Sequence, residues 1–146
     1  MNYLVDTNVL LRSIQTQHSM YADARRAAAS LVGEGHVLAV VAQNLIEFWA
    51  VATRPTVNNG LALSIADTAG HIKTFQQTFT LLPDTSDIFS EWQRLVELHA
   101  VSGRQAHDAR LVAAMLAHAV THLLTFNDAD FKRYTEITVV NPHDIS

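Results

Sequence analysis

The chain has 146 residues, 49% of them hydrophobic and 16% charged, which is enough apolar material for one domain-sized core and too much for a disordered chain. It contains no cysteine, so a disulfide scaffold, a thiolate zinc site and a cysteine nucleophile are all excluded. The formal net charge of -4 argues against nucleic-acid binding through a broad basic face, so any such role needs a local site where metal ions offset acidic groups.

The opening Met1-Asn2-Tyr3-Leu4-Val5-Asp6 lacks the basic start and apolar run of a signal peptide, and no stretch approaches the ~20 apolar residues that span a bilayer. The expectation is a cytoplasmic protein that does not enter the membrane. Tyr3-Leu4-Val5 predicts a short strand stopping at Asp6, and Val9, Leu10 and Leu11 lead into a helical pattern that resumes from Tyr21 to Val32. Gly33 and Gly35 end that helix, and His36 to Val40 predicts a second strand. Leu45, Phe48, Trp49 and Ala52 recur at helical spacing between Ala42 and Thr53, and Arg54-Pro55 with Asn58-Asn59-Gly60 closes the element. A helix from about Ser64 to Thr78 precedes a strand at Phe79 to Leu82, halted by Pro83. Ser86 or Asp87 can cap a helix running to Ala100, Ser102-Gly103 breaks it, and His107 to Ala119 predicts another. His122 to Thr125 and Ile137 to Val140 are the last strands, separated by a short turn or helix at Phe131 to Tyr134. Strands alternating with helices imply crossover connections and one α/β domain over residues 1–146, its central, mainly parallel sheet covered on both faces.

Three carboxylates stand where solvated surface does not account for them. Asp6 ends an apolar strand, the edge at which open parallel sheets place ligands, although it can also cap the following helix. Glu47 lies within Asn44-Leu45-Ile46-Glu47-Phe48-Trp49-Ala50-Val51-Ala52, so it either occupies a narrow exposed stripe with Gln43 and Arg54 or is paired, neutralised or metal-bound. Asp108 shares a helical face with Leu111, Val112 and Met115, where it serves either as a cap or as a functional acid near the positive helix end. Carboxylates converging at one sheet edge repel unless cations intervene. Magnesium and manganese favour oxygen ligands, and such a site suits metal-assisted phosphodiester hydrolysis.

At these residues the chain resembles the PIN-domain ribonucleases, including the toxins of VapC-type toxin–antitoxin pairs. Leu4-Val5-Asp6-Thr7-Asn8-Val9-Leu10 resembles the family's first motif, Asn44 to Phe48 its second, His107 to Ala113 its third and Leu123 to Phe131 its closing motif, in family order and over nearly the whole chain. The resemblance implies a three-layer α/β/α domain in which Asp6, Glu47 and Asp108 bind Mg²⁺ or Mn²⁺ and cut RNA, with Thr7, Asn8 and Thr125 in support. It also implies a cognate antitoxin as partner and a homodimer. Asn127 stands where the family commonly has an acid. That departure leaves the fourth ligand open among Asn127, Asp128 and Asp130, the last of which can equally be a turn cap before Phe131.

Arg110, Arg104 and Arg12 are candidate phosphate contacts, with ion pairing as their alternative. His107 is placed beside the site, His118 and His122 fall across a helix-to-strand change unsuited to a shared metal, and Phe48, Trp49 and Trp92 read as core residues rather than stacking platforms. A haloacid-dehalogenase-type hydrolase is disfavoured because Asn8 stands where its second acid belongs. Nucleotide-binding loops are absent: there is no Walker A sequence, and Gly33-Glu34-Gly35 lacks the third glycine of a dinucleotide loop. The remaining alternative is a PIN-fold module that binds RNA or a partner with little catalysis.

Overall fold

The computed structural model describes all 146 residues and has a five-stranded sheet in which every neighbouring pair runs parallel. Strand β1 (Asn2–Val5) lies at its centre. Strands β2 (Val37–Val41) and β3 (Thr80–Leu82) extend the sheet to one side, and β4 (His122–Leu124) and β5 (Thr138–Val140) to the other, giving the order β3-β2-β1-β4-β5. Parallel neighbours cannot be joined by tight turns, so helices make the crossovers. Helices α1 (Thr7–Arg12) and α2 (Tyr21–Gly33) join β1 to β2, and α3 (Ala42–Thr53) and α4 (Ile65–Thr78) join β2 to β3. Helices α5 (Ile88–Leu98) and α6 (Gln105–Ala117) lead to β4, and α7 (Asp128–Phe131) leads to β5.

The two-residue period of the strands sorts side chains into two cores. Tyr3 and Val5, Leu38 and Val40, and Leu124 pack with residues of α1 to α4, including Leu10, Leu31, Phe48 and Phe75. Leu4, Val41 and Leu123 point the other way, onto Leu95 of α5, Leu111 to Met115 of α6 and Phe131 of α7. These strands are apolar on both faces because both faces are covered, as the near-continuous hydrophobic runs require. Each fully buried leucine or phenylalanine contributes about 1.5–3 kcal/mol, so a three-layer arrangement is strongly favoured over any that exposes one face. No helix is long and apolar enough to cross a membrane.

Several boundaries differ from expectation for local reasons. Helix α6 spans Gln105–Ala117 instead of His107 to Ala119, with Arg104 at its N-cap and Ala119 turning left-handed at φ 56° to end it. Asp108 is therefore a first-turn residue and not the cap. Helix α5 stops at Leu98, short of Ala100, which has φ 51°. Neither termination carries a glycine, the usual signal for a left-handed cap. Helix α7 starts at Asp128, ahead of the turn expected at Phe131 to Tyr134, so Asn127 is its N-cap and Asp130 lies inside it, not at a turn before it.

The topology fixes where a crevice can form. β1 and β4 are neighbours, yet α1 after β1 packs into one core and α7 after β4 into the other. Diverging connections leave a gap beyond the carboxyl ends of those two strands, the switch point at which open α/β sheets bind ligands.

Candidate active site

Asp6 and Thr125 follow directly from the two strands at that gap. Their backbones continue the ladder, Asp6 N donating to Leu124 O at 3.0 Å and Thr125 N to Val140 O at 3.0 Å, so the strands aim both side chains. Asp6 is 7% exposed. Its Oδ1 accepts from Thr7 N at 2.8 Å, which caps α1, and its Oδ2 accepts from the Thr125 hydroxyl at 2.8 Å. The capping and functional readings of Asp6 are thus compatible, one oxygen serving mainly the helix. Thr125 Oγ1 also accepts from Asn8 Nδ2 at 3.2 Å and from Asn127 N at 3.0 Å. Asn8 Nδ2 lies 3.4 Å from Asp6 Oδ2, while Asn8 Oδ1 accepts from Phe126 N at 3.2 Å. Asn8 and Thr125 therefore tie the loops after β1 and β4 together and hold the Asp6 carboxylate.

A second set of bonds brings in α3. Asn44, fully buried, accepts from Val41 N at 2.9 Å through Oδ1 and reaches the Thr7 hydroxyl at 3.5 Å through Nδ2. Thr7 Oγ1 in turn donates to Glu47 Oε1 at 3.3 Å. Asn44 had no role assigned from the sequence: it makes only the N3-to-N-cap half of a capping box, and Val41 at the N-cap has no side-chain acceptor to signal it. Glu47 is half-buried, and α3, although largely apolar, is not buried all round, since Ile46 is 67% exposed.

Glu47, Asp108 and Asp130 line one crevice of about 420 Å³ with Asn127, Arg104, Gln105 and His107, and no hydrophobic side chain faces it. Burial raises the Asp6 carboxyl above its ordinary range, more than its hydrogen bonds lower it. Burial and the charge of Asp6 raise Glu47. Burial, followed by the charges of Asp6, Asp130 and Glu47, pushes Asp108 up to about 6. None of these four acids has a salt-bridge partner. Asp6 itself does not line the crevice, but a buried carboxylate supported only by neutral donors, within the field of three more acids, makes an unbalanced negative site.

The donors are oxygens, the chemistry that suits Mg²⁺ or Mn²⁺, but no three acid or histidine side chains are placed so as to hold one metal ion together. Magnesium does not require one, because it usually binds one or two carboxylates and keeps several waters. The donor set thus fits a hydrated divalent ion.

The other expected residues divide clearly. Asp128 is turned away from the crevice and accepts from Asn141 Nδ2 at 3.3 Å, joining α7 to the end of β5. Arg110 is also outside it, in a hollow on the other side of the α6 N-terminus, held by Gln43 Oε1 at 3.2 Å and Asp84 Oδ1 at 3.5 Å. Arg12 donates to Gln15 Oε1, and its Nε is buried without a partner. His118 Nε2 meets Pro83 O at 2.7 Å while His122 Nδ1 meets the Thr121 hydroxyl, so the two are engaged separately. Phe48 is fully buried, and Trp49 and Trp92 are half-buried.

The model of the PIN domain family matches residues 3–137. No curated relative matches the sequence. Among solved structures, VapBC-1 from nontypeable Haemophilus influenzae superposes with a TM-score of 0.73 at 14% identity, covering 99% of this chain and 100% of that one. VapBC2 from Rickettsia felis, bound to a DNA fragment from its promoter, gives 0.69 at 16% identity over 97% and 98%. Mycobacterium tuberculosis VapC20, a toxin that cleaves the sarcin-ricin loop, gives 0.65 at 16% identity over 93% and 98%.

Proposed function

The chain belongs to the PIN-domain family, and we propose on that premise that it is a divalent-metal-dependent endoribonuclease, the toxin of a toxin–antitoxin pair. The observation that carries the reading is the buried Asp6, bonded only to neutral donors, in one field with Glu47, Asp108 and Asp130, so that burial and these charges raise the carboxyls of Asp6, Glu47 and Asp108. A Mg²⁺ or Mn²⁺ ion held there would offset the carboxylates and make a bound water more acidic, ready to attack an RNA phosphodiester.

The side chains have separable tasks in this reading. Asp6, Glu47 and Asp108 supply the carboxylate oxygens, and Asp130 replaces the charge that Asn127 lacks, since it lines the crevice beside Asn127 while Asp128 does not. Thr125, Asn8 and Thr7 hold Asp6 and Glu47 in place by the bonds described. The Asn127 amide, free of side-chain bonds at its N-cap, can donate to a phosphate oxygen or a water. Arg104, exposed at the rim, can meet the RNA backbone, which offsets the acidic character of the crevice.

The VapBC neighbours support an antitoxin as a second partner, and the family a homodimer. The site of action would be the cytoplasm. Cleavage of labelled single-stranded RNA with Mg²⁺ or Mn²⁺ tests the catalytic reading: wild type should cut, and both EDTA and Asp6→Asn should stop it. Folded wild type that binds several RNAs without cutting any would instead favour a binding module, with Asn127 as the residue to restore to aspartate.

A further inference from the structure

We propose that the hollow beside the acidic crevice is a base-stacking subsite, which takes one unpaired base of the single-stranded RNA whose backbone crosses the crevice. This rests on the ribonuclease reading above. The hollow lies between the start of α5 and the N-terminal turn of α6, encloses about 380 Å³, and is lined by Ile88, Phe89, Trp92, His107 and Arg110 among others. That volume is within the range of small-ligand sites and accommodates a nucleobase. His107 lines both the hollow and the acidic crevice, so the two share a wall at the first turn of α6.

The floor is aromatic and fixed. Phe89 is 66% exposed and stacks on Trp92, the ring centroids 5.6 Å apart at an interplanar angle of 30°. The Trp92 indole donates to Ala106 O at 2.8 Å, which locks the lower ring of the pair against α6. Ile88 and Leu95 already supply the buried side of α5, so Phe89 stays outside that core and is left mostly to water. A single exposed apolar side chain needs no partner, but here Phe89 and Trp92 form one stacked apolar surface beside Ile88 in the hollow.

The rim distinguishes what that partner is. No carboxylate lines the hollow, in contrast to the neighbouring crevice. Arg110 stands at its edge with its guanidinium oriented by Gln43 and only loosely paired with Asp84, which leaves donors free for a phosphate. Thr85 lines the same rim, its hydroxyl donating to the Asp87 carboxylate. An aromatic floor, a cationic edge and continuity with a phosphodiester-cutting crevice match a nucleotide better than an apolar peptide side chain, which would leave Arg110 unused. Because every base has a π-face, such a subsite orders the strand while tolerating sequence.

Steady-state cleavage in Mg²⁺ with Phe89→Ala and Phe89→Tyr tests this. Loss of a stacked base corresponds to roughly 5- to 150-fold in affinity. Phe89→Ala should therefore raise KM by that factor with kcat within about twofold, and Phe89→Tyr should behave as wild type. Substrates with an abasic ribose scanned through the positions flanking the cut give the second readout. At one position the wild-type KM should rise to that of Phe89→Ala, and the variant should lose nothing further there. Wild type that cuts RNA while Phe89→Ala leaves KM unchanged, or a defect that no abasic position matches, overturns the subsite and leaves the aromatic face to a protein partner. Wild type that cuts no RNA defeats the ribonuclease reading itself, whatever Phe89 does.

Discussion

Replacing Asp108 with asparagine should make the metal-free protein more stable while removing its cleavage activity. Asp108 sits in the first turn of α6, half-buried, and its carboxyl is pushed from 3.8 to about 6, first by burial and then by Asp6, Asp130 and Glu47. The folded chain therefore holds that proton more tightly than the unfolded chain does. Between these two values unfolding releases a proton, so stability falls as pH rises, and the full deficit is present above about 6. At 1.36 kcal/mol per unit the deficit is at most about 3 kcal/mol, and water screening of a half-exposed group reduces it to about 1–2 kcal/mol. Asparagine keeps the shape and removes the charge, and no hydrogen bond to the carboxylate is lost with it. Urea unfolding in EDTA should show Asp108→Asn gaining about 1–2 kcal/mol at pH 7.5, about 3–8 °C in Tm, and less than about 0.5 kcal/mol at pH 4. Adding Mg²⁺ should narrow the gap, because an ion bound by the wild type stabilises its folded state by mass action. A gain of the same size at both pH values would mean that the effect is not electrostatic. A loss at pH 7.5 would mean that Asp108 has a favourable partner and that the acids do not repel, which removes the ground for a cation site.

Two further substitutions probe the scaffold. Thr125→Val removes the hydroxyl that donates to Asp6 Oδ2 and accepts from Asn8 Nδ2 and Asn127 N, all in a fully buried position. Denaturant unfolding should show a loss of about 1–3 kcal/mol from the orphaned groups, and Mg²⁺ affinity or cleavage should fall about 10- to 100-fold; unchanged Mg²⁺ response would show that Thr125 does not orient Asp6. Gly60→Ala would put a Cβ 1.9 Å from Arg54 O, a backbone atom that cannot swing aside. A loss of about 2–4 kcal/mol is expected with Mg²⁺ affinity unchanged, because the turn after α3 lies outside the acidic crevice, and wild-type stability would mean that the turn can open.

Much of this protein is legible along the chain because its signals are local. Apolar runs of period two or nearly continuous character, alternating with helical spacings, dictate strands buried on both faces and hence an α/β/α sandwich. Asp6, Glu47 and Asp108 stood out because each is an acid in an apolar element, a conflict that single-residue burial costs make visible. Helix ends were less legible where alanines at positions 100 and 119 take the left-handed turn, since tertiary packing and not residue type sets those conformations. What Asn127, Asp128 and Asp130 do was undecidable from spacing, because a two-residue change in where α7 begins rotates each acid to a different face. Only the folded chain, through the divergence of the connections after β1 and β4, puts Asp130 in the crevice and Asp128 on Asn141. It also carries Arg110 around α6 to the hollow with Phe89. The sequence by itself determined which residues must be buried or capped, since those are costs each residue meets in its own segment. Which acids share a field was decided by tertiary structure alone, because Coulomb energy depends on distance through space, and residues 6, 47, 108 and 130 acquire such distances only when the sheet is assembled.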